Sequence, residues 1–220
     1  MNKPNILLII TDQQSASAMS AVGNPYLHTP NMDRLASEGI MFTRAYCTQP
    51  LCTPCRGSIF TGLMPHQCGT SMNNLPIAEN LRHTEIGNLL SNAGYECIYA
   101  GKWHVPEIAM PQNNDHGFKV ISGFNDKLMA SACDKYFREY TAKSSSQRKP
   151  FFLVASFDNP HNICEFARRM PLPWANIGAT PPLDKLPPLP PNFEPPDIEP
   201  EIVRIEQKAN FMIYQIGRAH

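Results

Sequence analysis

Cys52 stands two residues before Pro54 and four before Arg56, in the run Cys52-Thr53-Pro54-Cys55-Arg56-Gly57-Ser58, with Thr61-Gly62 close behind. A proline suits the first position of a helix, where its missing N–H is not needed. That predicts a loop-to-helix junction with Pro54 as the first helical residue. Cys52 then lies just outside the helix, beside its free N–H groups and the positive end of its dipole, where anions gather. Arg56, one turn up, can reach back to the same point. The arrangement is that of a nucleophile inside an anion site. Two other chemistries fit the same residues. Cys52-x-x-Cys55 is also a redox signature, because a helix N-terminus lowers a thiol pKa and a second thiol can resolve a mixed disulfide. It is equally half of a zinc site, although no second Cys-x-x-Cys or His-x-x-x-His follows at ligand spacing.

Other polar residues recur at one kind of place, the end of an apolar run. Residues 4–10 are rich in Ile and Leu and run into Asp12 and Gln13. They read as a strand buried on both faces, as in a parallel sheet. Residues 95–100 form a second such run, ending at Lys102 and His104, and 151–157 a third, ending at Asp158 and His161. Between them, residues 30–38 carry apolar residues at helical spacing, start with a proline and stop at Gly39. Residues 40–46 read as extended, 55–61 as helix, and 84–92 as helix with Ile86, Leu89 and Leu90 on one face. Strands alternating with helices predict an α/β fold with a mainly parallel central sheet flanked by helices. Open sheets of that kind place their sites beyond the carboxyl ends of the strands.

The 220 residues carry 19 basic and 19 acidic side chains, a formal net charge of zero. Neither a nucleic-acid nor an anionic-membrane partner follows from that balance. Ile6 to Ile10 is far too short to span a bilayer. Met1-Asn2-Lys3-Pro4 leads straight into the first strand and leaves no room for a secretory signal, so as written a cytoplasmic location is expected, or a periplasmic or secreted one if a leader was removed. Seven cysteines without regular spacing argue against a secreted disulfide framework. Residues 171–200 hold 11 of the 22 prolines and predict an extended excursion. Residues 201–216 return to a helical pattern.

Cys52-x-Pro54-x-Arg56 with Thr61-Gly62 resembles the signature of the type I sulfatases. Four more motifs keep that family's order: Asn5 through Gln13; Thr29-Pro30-Asn31-Met32-Asp33-Arg34-Leu35-Ala36 through Gly39 and Phe42; Gly101-Lys102-Trp103-His104; and Pro150-Phe151-Phe152-Leu153 through Pro160-His161. On these five motifs the chain is identified as a member of the family. The resemblance implies an alkaline-phosphatase-like fold and hydrolysis of a sulfate ester, with a small sulfated molecule, in particular a sulfated sugar, as substrate. It implies that a dedicated maturation enzyme oxidises Cys52 to formylglycine, whose hydrated aldehyde is the nucleophile. Asp12, Gln13 and the modified Cys52 would face a divalent cation, usually calcium. Arg56 would fix the nucleophile, Lys102 would contact sulfate, His104 would stabilise the hydrated aldehyde or act as base, and His161 would serve sulfate or the leaving group. Asn74 and His116 are further residues that could approach substrate. Two features depart from the commonest pattern: Gln13 where two aspartates are usual, and Cys55 where serine or another small residue is frequent.

The alternatives carried forward are a phosphatase or phosphonate monoester hydrolase of the same superfold, a thiol-disulfide protein, and a truncated member without turnover. Family members are much longer, with an Asp-Asn pair of cation ligands beyond a later strand. Residues 1–170 are therefore expected to be the N-terminal part of a catalytic domain, 171–200 a proline-rich excursion and 201–220 a helical segment cut short, with an incomplete metal site.

Overall fold

A computed structural model describes residues 3–168, 170–174, 182–189 and 197–214. They divide into two compact units, Met1–Gln13 with Phe42–Pro160 and Gln14–Met41 with His161–His220. The strands are β1 (Ile6–Asp12), β2 (Glu96–Gly101), β3 (Lys119–Ser122) and β4 (Phe151–Pro160), and the helices are α1 (Pro30–Glu38), α2 (Cys52–Thr61), α3 (Pro65–Cys68), α4 (Ile86–Asn92), α5 (Asp126–Ala142), α6 (Ile163–Ala167) and α7 (Glu201–Tyr214). No helix among the described residues is long and apolar enough to cross a membrane.

The first unit holds the whole sheet, in the order β1-β4-β2-β3. All three pairings are parallel, as the alternation of apolar runs and helical patterns predicts. Both faces of the central strands β4 and β2 are covered. On one, Tyr99, Phe152 and Val154 pack with Phe60 of α2 and with Ile86 and Leu90 of α4. On the other, Ile98, Ala100, Leu153 and Ala155 pack with Met129, Cys133, Tyr136 and Tyr140 of α5. Those four α5 residues recur every three or four positions, which places them on one helical stripe. Asn125 starts α5, its side chain accepting from the N–H groups of Lys127 and Leu128.

Register explains where the site lies. Ile10 of β1 and Gly101 of β2 both stand opposite Ser156 of β4. The residues that follow each strand therefore leave the sheet side by side. Gly101 allows the chain to turn there: its φ is 98°, and a Cβ at this position would lie 2.1 Å from the Ser156 carbonyl oxygen.

Several sequence expectations are corrected. β1 is an edge strand with only one face covered. Ile6, Leu8 and Ile10 pack on the core, whereas Leu7 and Ile9 are 48% and 50% exposed. Residues 40–46 form no strand, and Ile40, Phe42 and Tyr46 are exposed, since an extended run without a pairing partner has no ladder to join. Leu89 faces solvent rather than joining Ile86 and Leu90 on the core. α2 begins at Cys52, not at Pro54. Proline at the third position is tolerated for the same reason as at the first, because the first-turn N–H groups have no intrahelical acceptor.

In the second unit, α1 starts at Pro30 after Thr29. Ser20 Oγ donates to Asp33 Oδ2 at 2.7 Å and Thr29 Oγ1 to Asp33 Oδ1 at 3.0 Å, tying the start of α1 to the preceding turn. These bonds, Ser20 foremost, hold the Asp33 carboxyl below its ordinary range. The helix expected over 201–216 is present as α7, Glu201–Tyr214. Nearly half of the proline-rich excursion, residues 175–181 and 190–196, lies outside the described residues, as do 215–220.

Candidate active site

Asp12, the last residue of β1, carries the carboxylate on which the first unit converges. Its Oδ2 lies 3.6 Å from Arg56 Nη2 and is ion-paired with Lys102 Nζ. Cys52 Sγ stands 3.9 and 3.8 Å from its two oxygens, at the first residue of α2. Arg56, one turn into the same helix, is 3% exposed. Its Nη1 donates to the Lys102 carbonyl at 2.8 Å and to Ser156 Oγ at 2.9 Å. The Lys102 carbonyl also accepts from Tyr99 Oη at 2.7 Å, and burial pushes that hydroxyl's pKa up to about 12. Lys102 is likewise 3% exposed, and its Nζ reaches Asp158 Oδ1 at 3.0 Å.

Two cations and two carboxylates thus share one buried cluster. Buried charges persist when they are paired and hydrogen-bonded. Of the residues the sequence singles out, the structure brings Asp12, Cys52, Arg56 and Lys102 together here. The sequence shows Asp158, which closes the cluster, only as the polar end of an apolar run, and does not single out Ser156, which holds the guanidinium. It also misses Asp126, whose carboxylate accepts from the backbone N–H groups of Asp158 and Asn159, at 2.9 Å each.

Gln13 follows β1, exposed, with a φ of 62°. His104 is half-buried with a φ of 56°, and its Nδ1 is buried without a hydrogen-bond partner among the described residues. Left-handed backbone outside glycine is uncommon and concentrates at functional sites. Asn74, with a φ of 66°, is the third such residue. His161 directly follows β4 in the chain and opens the second unit, where its carbonyl accepts from the Cys164 N–H at 3.1 Å. His116 is not placed to meet substrate. It is 5% exposed, 2.7 Å from Glu85 Oε2 through Nδ1, and its ring centre lies 4.6 Å from that of Trp103.

Cys52 and Cys55, the pair of the redox expectation, are both free thiols, and burial, then the neighbouring Cys47, raises the Cys55 thiol above its ordinary pKa. The Asp12 carboxylate and Gln13 amide offer the hard oxygen donors a divalent cation takes. Two such groups fall short of the roughly 6–8 oxygens around calcium, so they do not by themselves form its site.

A sequence model of the sulfatase family matches residues 4–180. The chain belongs to the sulfatase family. This sulfatase chain is 30% identical over 197 residues to an uncharacterized sulfatase of Escherichia coli K12, covering 74% of the chain and 39% of that protein. It is 31% identical over 207 residues to a delta 4,5-hexuronate-2-O-sulfatase of Bacteroides thetaiotaomicron, covering 89% and 41%. Among solved structures it is similar to that of a 2-O GAG sulfatase, with a TM-score of 0.66 and 29% identity over 87% of the chain and 42% of that protein. The chain spans about two fifths of the length of these relatives.

Proposed function

We propose that this chain supplies the nucleophile and part of the sulfate-binding cluster of a sulfuric ester hydrolase acting on a sulfated sugar. The observation that carries the reading is the convergence of Cys52, Arg56 and Lys102 on the Asp12 carboxylate, at the N-terminus of α2 and the carboxyl ends of the strands. A sulfate ester is an anion that repels ordinary nucleophiles, so its cleavage needs cations at the sulfate oxygens, a strong nucleophile and a proton for the leaving alcohol. On this reading a maturation enzyme converts Cys52 to formylglycine, whose hydrated aldehyde supplies one hydroxyl to attack sulfur and a second through which the sulfate is later released. Arg56 holds the nucleophile in place, anchored by Ser156 and the Lys102 carbonyl. Lys102 offers its ammonium to sulfate. His104 carries a proton at the aldehyde, and His161 serves sulfate or the leaving oxygen. Asp12 and Gln13 would contribute to a calcium site that further ligands must complete.

The choice of sugar follows from the relatives, whose names specify a hexuronate and a glycosaminoglycan. Two measurements test the proposal on protein co-expressed with a maturation enzyme. Mass spectrometry of the tryptic peptide Ala45–Arg56 should show Cys52 as formylglycine. Sulfate should then be released from an aryl sulfate and from sulfated disaccharides, and not after Cys52→Ala. Release of phosphate from the matching aryl phosphate, without sulfate release, would reverse the assignment in favour of a phosphatase.

A further inference from the structure

Thr53, next to the nucleophile position, is fully buried, and its polar atoms make three separate ties. Its N–H donates to Asn73 Oδ1 at 3.0 Å. Its hydroxyl donates to the His104 carbonyl at 2.7 Å and accepts from the Asn74 N–H at 3.2 Å. The partners come from two turns distant in sequence, and the hydroxyl bonds the backbone of two of the three left-handed non-glycine residues described, His104 and Asn74.

The first tie fills a vacant role. Leu51, the residue that caps α2, offers no side-chain acceptor to the first-turn N–H groups. Asn73 supplies one from twenty residues away. The second tie bears on His104. Its Nδ1 has no hydrogen-bond partner among the described residues, so no bond at that atom orients the imidazole. The backbone beneath sets where the ring starts, and that backbone is in a strained conformation, φ 56°, that its surroundings have to enforce. Of those surroundings, Thr53 is the one that also belongs to the helix starting at Cys52.

We propose that Thr53 is a positioning residue that locks the His104 turn and the Asn73–Asn74 turn to the N-terminus of α2, so that nucleophile and proton carrier keep one fixed geometry. The inference rests on the sulfatase reading for what that geometry achieves, but not for the coupling itself. Misplacing a catalytic group by about 1 Å can lower rate roughly 10²-fold. Only the hydroxyl is required, so Thr53→Val, which keeps the shape, should break the lock, and Thr53→Ser should keep it.

The test compares the full chain with Thr53→Val and Thr53→Ser. Hydrogen exchange at the Asn74 amide should accelerate roughly tenfold or more in Thr53→Val and stay at the starting value in Thr53→Ser. The 15N shift of Val105, whose amide nitrogen is bonded to the His104 carbonyl carbon, should move only in the valine variant. In matured protein, kcat for an aryl sulfate should fall by about 10–10² in Thr53→Val with KM little changed, and recover in Thr53→Ser. Unchanged Asn74 exchange and an unmoved Val105 signal in the valine variant would overturn the proposal, and so would failure of serine to restore them. Absent sulfate release from the unsubstituted matured protein would count against the sulfatase reading alone, because the exchange and shift measurements judge the lock without turnover.

Discussion

Replacing His116 by leucine should destabilise the protein far more than the loss of one hydrogen bond. Glu85 is fully buried. His116 Nδ1, 2.7 Å from Oε2, is its one side-chain hydrogen-bond partner among the described residues, and Oε1 has none. Arg82 Nη1 lies 2.8 Å from His116 Nε2 and 2.7 Å from Asp115 Oδ1, so the guanidinium is directed at the ring and at a second carboxylate. His116→Leu leaves the Glu85 carboxylate buried without compensation, which costs about 3–5 kcal/mol. Glu85→Gln keeps the shape and a polar partner for the ring, and should cost nearer to 1–2 kcal/mol, roughly a lost charge-assisted bond. The double replacement Glu85→Met with His116→Leu removes both polar groups together, and should return to within about 1 kcal/mol of the original protein. Urea unfolding of all forms is the assay, followed by the fluorescence of Trp103, whose ring packs 4.6 Å from His116. With a slope of about 2 kcal/mol/M, a loss of 4 kcal/mol moves the midpoint by about 2 M. Strict additivity of the two single replacements, Glu85→Met and His116→Leu, would refute the reasoning, because an isolated carboxylate and an isolated imidazole would then be as well solvated as the pair.

The same logic makes Lys102→Ala a destabilising change and not a silent probe of turnover. Asp12 and Asp158 would lose the ammonium between them, and the unfolding midpoint should fall by the equivalent of about 3–5 kcal/mol, with an unchanged midpoint showing that both carboxylates are solvated. His104→Ala in matured protein should instead lower aryl sulfate turnover by about 10²–10⁴ with near-normal stability, measured as kcat beside a thermal melt. Gly101→Ala must fit a Cβ 2.1 Å from the Ser156 carbonyl at a φ of 98°, and should reduce both soluble yield and Tm. Alkylation of Cys55 should be slow at pH 8 and still rising above pH 9, because burial raises that thiol's pKa and leaves little thiolate at lower pH; peptide mapping across pH checks it, and a plateau below pH 8 would contradict it.

How much was legible in the sequence depends on whether a residue acts through its own neighbours in the chain or through register. The runs that become β1, β2 and β4 announce themselves by apolar composition, and α1 by its proline start and glycine stop. α5 carries a signal of the same kind, in the Asn125 cap and the stripe of Met129, Cys133, Tyr136 and Tyr140. β3 carried almost none. It has four residues and a single buried one, Val120, too little for alternation to show. Within the site, Asp12 and Lys102 were legible as polar residues at the ends of apolar runs, and so was Asp158. Nothing local distinguishes Ser156 or names the partner of Asp158. Their roles arise where β4 meets Gly101 of β2 and Ile10 of β1 opposite Ser156, a pairing across more than fifty residues in one direction and more than a hundred in the other. Thr53 shows the same limit from inside a recognised motif. Its place beside Cys52 was visible, but the use of its hydroxyl depends on His104 and Asn74 arriving from other loops. A motif therefore names the residues at which chemistry concentrates. The sheet register and the strained turns decide which atoms face one another, and the experiments on Thr53 and Lys102 separate those two contributions.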